Sequence, residues 1–152
     1  MPAPTAIHRI VDRCRAADYP AAIGRLDSGW VVLGERQVLP GYCLLLPDPV
    51  VPHLNALNSA ERSRFLSDMT QVGDVLMQIT GAIRINYAMF GNAEPALHAH
   101  LFPRHASEPD ALRGAQPWAL DWNLASPYRD AEHGTLKRHI AAELERTGRL
   151  RR

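Results

Sequence analysis

The segment of residues 96–104, ALHAHLFPR, sets His98 and His100 one residue apart, ahead of Pro103 and Arg104. Imidazole exchanges a proton near neutrality and serves as nucleophile, acid, base or metal ligand. On an extended strand alternate side chains share a face, so His98 and His100 stand over one patch while Leu97, Ala99 and Leu101 anchor the other side. Three readings are open for such a pair: a reaction centre, a metal clip, or the rim of a core. A metal site needs at least a third ligand. No Asp, Glu or Cys stands at ligand spacing close by, and His105 lies beyond Pro103, so no metal is expected. Of the seven histidines, the other five (His8, His53, His105, His133 and His139) lack such a setting and read as surface or capping residues.

Phosphate chemistry suits the neighbouring residues better. A nucleophilic imidazole needs its target phosphorus held in line, with the charge on the equatorial oxygens offset by donors. The Gly91 backbone and Asn92 lie one turn before the pair and can reach the same ligand. Asn92 reads equally well as a turn residue that tolerates left-handed geometry. Arg104 either offsets phosphate charge or ties down the chain after the strand.

The elements that must carry these groups are legible in the hydrophobic pattern. Ile7, Ile10, Val11 and Cys14 recur at helical steps, after an opening of five residues expected to fray. Two apolar runs, residues 22–26 and 30–33, flank Asp27-Ser28-Gly29 and read as a hairpin. Residues 42–46, YCLLL, form a continuous apolar run, the mark of a central strand covered on both faces. A proline-rich loop then leads to a long helix capped by Asn58 or Ser59, with Glu61 in its first turn, a stripe through Phe65, Met69, Val72, Leu76 and Ile79, and Gly81 at its end. Residues 82–90 alternate as a strand, paired across a short Gly91 loop with a strand that Pro103 should stop. Beyond Arg104 a tail with Trp118, Trp122 and Tyr128 is expected to wrap the sheet. Leu136, Ile140 and Leu144 mark a last helix after Thr135.

Composition sets outer bounds. A chain of 152 residues, 46% hydrophobic and 22% charged, is expected to form one domain over residues 1–152. A net charge of +1 gives no field to draw a nucleic acid polymer or an anionic membrane. Two cysteines, Cys14 and Cys43, make no disulfide scaffold, and neither a signal peptide nor a membrane span is apparent, so a cytoplasmic protein is expected. Nothing implies a cofactor.

GYCLLLP (residues 41–47), the loop and long helix, INYAMFGN (residues 85–92) and LHAHLFPR (residues 97–104) together resemble the histidine triad superfamily of nucleotide hydrolases and transferases. The resemblance covers about residues 22–104 and leaves 105–152 as an extension. It implies an α+β half-barrel with an antiparallel sheet of about five strands, one long helix packed on it, and a homodimer that binds a nucleoside phosphate. It also implies that His98 attacks the α-phosphorus to give a nucleotidyl-histidine, that His100 contacts phosphate oxygens, and that Asn92 and Asn86 contribute polar contacts. The first motif histidine falls on Ala96, and the family's neighbouring histidine on the earlier strand falls on Tyr42. The expectation is that the pair changed together, the Tyr42 ring filling volume vacated at Ala96. Three functions remain open at this point: a hydrolase acting on dinucleoside polyphosphates or nucleoside phosphoramidates, a transferase passing the nucleotidyl group to phosphate or a sugar phosphate, and a nucleotide sensor that lost turnover with the first histidine.

Overall fold

The computed structural model describes residues 3–151. In chain order the elements are α1 (Ala6–Arg15), β1 (Ala22–Arg25), β2 (Gly29–Leu33), β3 (Cys43–Pro47), a 3-10 turn (Leu54–Ala56), α2 (Ser59–Thr80), β4 (Arg84–Ala88), β5 (Ala99–Arg104), a short α3 (Asp110–Arg113), a second 3-10 turn (Pro117–Ala119) and α4 (Asp130–Arg146). The strands form one antiparallel sheet in the order β1-β2-β3-β5-β4. The α+β class and five-stranded sheet are as the sequence implied.

The continuous apolar run at β3 is explained by its place at the centre of this sheet, covered on both sides. Val31, Leu33, Cys43, Leu45, Ala99 and Leu101 face Phe65, Met69, Val72 and Leu76 of α2, with Ile140 and Leu144 of α4 closing the same core. On the opposite face Val32 and Leu46 meet Ile7, Val11 and Cys14 of α1. The long helix begins as its residues require. The Asn58 side chain accepts from the Glu61 amide at 2.9 Å and the Glu61 carboxylate accepts from the Asn58 amide at 2.9 Å. Gly81 ends it in the left-handed conformation, φ 72°.

Four boundaries differ from the sequence reading. Thr5, placed in the frayed opening, caps α1 and bonds the His8 ring; Met1 and Pro2 lie outside the described residues. The last helix starts at Asp130 and runs through Gly134, earlier than the Leu136 stripe suggested. The β4–β5 connection, residues 89–98, is long, so His98 sits just ahead of the β5 ladder. Pro103 does not stop β5 but pairs with Ile85 inside it. The carbonyl of Arg104 accepts from Ile83, so that of Pro103 and its missing N–H point the other way, past the last β3 pair, Cys43 with Leu101. No ladder bond is lost there.

Candidate functional site

Strand alternation sets His98, His100, Phe102 and Arg104 on the sheet face opposite α2. The two imidazoles stand edge to face, centroids 4.9 Å apart. His98 is 9% exposed, and its Nδ1 lies 2.7 Å from the carbonyl oxygen of Ala96. A carbonyl only accepts, so Nδ1 carries the hydrogen and Nε2 keeps its lone pair. In the neutral ring this tautomer leaves the nucleophilic nitrogen, Nε2, unprotonated. The bond goes to the backbone of residue 96, so alanine there leaves the device intact.

His100 takes the complementary tautomer. Its Nδ1 lies 2.7 Å from the Tyr42 hydroxyl. Burial pushes the Tyr42 phenol up, so it remains a hydroxyl, and no other acceptor for its hydrogen is found among the described residues. Tyr42 therefore donates to Nδ1 and the His100 hydrogen sits on Nε2, where it can donate to a phosphate oxygen. The phenol ring is fixed by stacking on Phe102 at 4.3 Å and by the edge of Trp122 at 5.6 Å. Gly34 makes room for it, since a Cβ there would lie 2.2 Å from the ring.

Burial, and secondarily the neighbouring His98, push the His100 ring down from 6.5 to about 4. Above pH 6.5 the ring is neutral in both folded and unfolded chains; between there and about pH 4 only the unfolded chain takes the proton. Stability is therefore expected to fall as pH drops through that window, by on the order of 2 kcal/mol after discounting the ring's partial exposure, and no further below it. Denaturant titrations of wild type and His100→Gln at pH 7, 5.5 and 4 measure this: the difference between the two curves should shrink with acid.

The other expected site residues separate. Gly91, at φ 77°, lines a hollow of about 300 Å³ with His98, Ala96, Phe90 and residues 52–55. Asn92 is exposed on the loop and does not line that hollow. Asn86 pairs with Phe102 on β4, and its Oδ1 accepts from Arg104 at 2.9 Å. Arg104 corrects the phosphate reading. All five of its N–H donors are taken, by both Glu108 carboxylate oxygens, Asn86, and the carbonyls of Leu112 and Ala115. It ties the tail to the sheet, the second of the two roles its position allowed.

The Tyr42–Ala96 pairing is also overturned. Ala96 packs with Ile7, Val11, Cys14 and Leu46, so α1 fills the space beside it, whereas Tyr42 groups with Leu39 and Phe102. The tail divides: Trp122 covers Tyr42 and Phe102, Tyr128 packs beside His133, and Trp118 reaches the His100 ring at 5.2 Å. Trp118 also lines, with Phe90, Phe102 and Asn86, a second hollow of about 480 Å³ on the same face. The sequence offered no sign of His53 on the wall of the His98 hollow.

Away from the histidines, a hollow of about 160 Å³ is lined by Asp27, Asp48, Glu61 and Arg64. Its carboxylates are already engaged: Asp48 by Arg15, Arg25 and Trp30, Asp27 by Arg151, and Glu61 by the α2 cap. Among the described residues no group of three or more His, Cys, Asp or Glu side chains could hold a metal ion.

No sequence-family model matches the chain, and no curated protein does. Solved structures do. A histidine triad protein of Sinorhizobium meliloti is 25% identical, with a TM-score of 0.66 over 80% of this chain and 87% of that one. A histidine triad protein of Marinobacter aquaeolei is 22% identical, with a TM-score of 0.67 over 89% and 94%. A hypothetical histidine triad nucleotide-binding protein of Sulfolobus tokodaii reaches 0.71 at 12% identity, over 91% and 92%.

Proposed function

Starting from a chain that belongs to the histidine triad superfamily, as its fold and structural neighbours show, we propose a nucleotide hydrolase or nucleotidyl transferase working through a nucleotidyl-His98 intermediate. The observation that carries this reading is the 2.7 Å bond from His98 Nδ1 to the Ala96 carbonyl, in a ring that opens on a hollow large enough for a phosphate group. Nε2 of His98 attacks the α-phosphorus of a dinucleoside polyphosphate or nucleoside phosphoramidate, and the bond to the leaving group breaks. Nε2–H of His100 and the Gly91 backbone meet the charge growing on the phosphate oxygens. Water, or another acceptor, then attacks the phosphorus and returns the electron pair to His98.

Incubation with a diadenosine polyphosphate and with an adenosine phosphoramidate tests this by mononucleotide release and an acid-labile adduct. Nucleotide binding without product or adduct would favour the sensor, and release only on addition of phosphate would favour the transferase.

The working unit we take to be a homodimer. β4 is an edge strand, and Tyr87 on it, Ile83 just ahead of it and Met77 on α2 are exposed apolar residues. Tyr87 crosses α2 at Gly73, where a Cβ would lie 2.0 Å from its hydroxyl, so strand edge and helix present one patch. Sedimentation at twice the chain mass is the expected result, with Tyr87→Asp sedimenting as the single chain. A cytoplasmic setting is supported by the free, buried state of Cys14 and Cys43. No helix among the described residues is long and apolar enough to cross a membrane.

A further inference from the structure

The reaction above leaves one proton unassigned. An amine or phosphate leaving group departs with the electron pair of the broken bond and needs a proton, which the methyl group of Ala96 cannot give. Of the residues lining the His98 hollow, only His53 and His98 carry a side chain that exchanges a proton near neutrality. His98 is the nucleophile. The nearby Tyr42 hydroxyl is held by His100, and Glu94, on the same loop as Gly91, is bonded through Oε2 to the Ala6 amide at 3.1 Å. We infer that His53 is the acid that protonates the leaving group, an assignment that rests on the nucleotidyl-His98 reading.

The fold brings the two histidines together although they lie far apart in sequence. β3 and β5 are antiparallel neighbours, so the chain leaving β3 runs beside the chain entering β5, and the Leu97 amide donates to the Val51 carbonyl at 2.8 Å. His98 follows Leu97, and His53 lies two residues beyond Val51. The His53 backbone is held extended, its carbonyl accepting from Ala56 at 3.0 Å, while its exposed ring makes no hydrogen bond among the described residues. The ring is thus anchored by its main chain and free to meet a ligand.

In the first step the lone pair of His98 Nε2 forms the N–P bond. The P–N or P–O bond to the leaving group breaks, and the released electron pair takes the proton of the His53 imidazolium. In the second step the now neutral His53 accepts a proton from the attacking water. The O–P bond forms, the N–P bond breaks with its pair returning to Nε2, and the imidazolium is restored. Atoms and charge balance over the cycle with water as the only co-reactant.

The test compares an adenosine phosphoramidate with an alkylamine leaving group, which must be protonated, with the nitrophenyl ester of AMP, whose phenolate leaves unaided. In the adduct-forming step His53→Gln and His53→Ala are both expected to lose about 100-fold or more on the phosphoramidate while releasing the first equivalent of nitrophenolate from the ester at the wild-type rate. His53 is exposed, so neither change should move the melting temperature. Equal losses on both substrates, or none on either, would overturn the assignment while leaving the His98 intermediate standing. A wild-type protein that turns over neither substrate and forms no adduct would remove the parent reading and this one with it.

Discussion

His98→Gln is expected to lose turnover by at least about a thousandfold and to form no acid-labile adduct, because the other imidazole of the hollow, His53, is assigned to the leaving group and not to the phosphorus. Glutamine fills much of the space of an imidazole that is only 9% exposed, and the structural loss is mainly the bond to the Ala96 carbonyl, about 1 kcal/mol. The melting temperature should therefore move by only a few degrees. His100, Gly91 and the hollow remain, so nucleotide affinity should change little, and the loss should appear in kcat. Titration calorimetry beside single-turnover kinetics separates the two. A variant that matched wild-type turnover would mean that the chemistry, if any, resides elsewhere. A wild type that binds but never turns over would make His98 a recognition residue of a sensor.

What was legible in the sequence follows from how local each signal is. The α2 cap is carried by two residues three apart, Asn58 and Glu61, and its end by Gly81, so no tertiary knowledge was needed. The shared face of His98 and His100 follows from strand alternation alone. The misreadings come from register and from chain that returns from far away. Cys43 pairs with Leu101 and Leu45 with Ala99, so partners on β3 move up as those on β5 move down. Tyr42 therefore falls beside Phe102, and Ala96 falls past the opposite end of β3, where no side chain at position 42 can reach it. Knowing the register would have shown this at once; hydrophobic pattern alone does not set it. His53 was hidden for the same reason, since only the Val51–Leu97 contact brings its loop to the histidines. Pro103 was misjudged because a proline ends a strand only where its N–H is wanted, and β3 has already stopped there.

Arg104 was the residue whose sequence setting said least, because its four partner residues lie on another strand, Asn86, or on a tail with no regular pattern, Glu108, Leu112 and Ala115. Arg104→Leu is expected to cost about 3–5 kcal/mol, a large part of the 5–15 kcal/mol typical of a domain. Both members of the Arg104–Glu108 pair are about nine-tenths buried, so removing the guanidinium strands a carboxylate away from water and takes the donor from the Leu112 and Ala115 carbonyls. Arg104→Lys should recover only part of this, since three donors cannot serve five acceptors in a plane. The pH dependence identifies the cause. In the wild type, burial works to raise the Glu108 carboxyl, but the Arg104 bonds and the His105 amide together hold it below its ordinary range, so its contribution is present at neutral pH and lost as pH falls through the lowered value. In Arg104→Leu only burial and the amide remain, the carboxyl rises, and protonation relieves the stranded charge. The gap between the two proteins in urea denaturation should thus be widest near pH 7 and narrow with acid, first as pH falls through the raised carboxyl of the variant and then through the lowered one of the wild type, and adding Glu108→Gln to Arg104→Leu should restore part of the loss at pH 7. If Arg104 held substrate phosphate instead, the same replacement would raise KM and leave the urea midpoint where it was, and the loss of stability would have no reason to depend on Glu108.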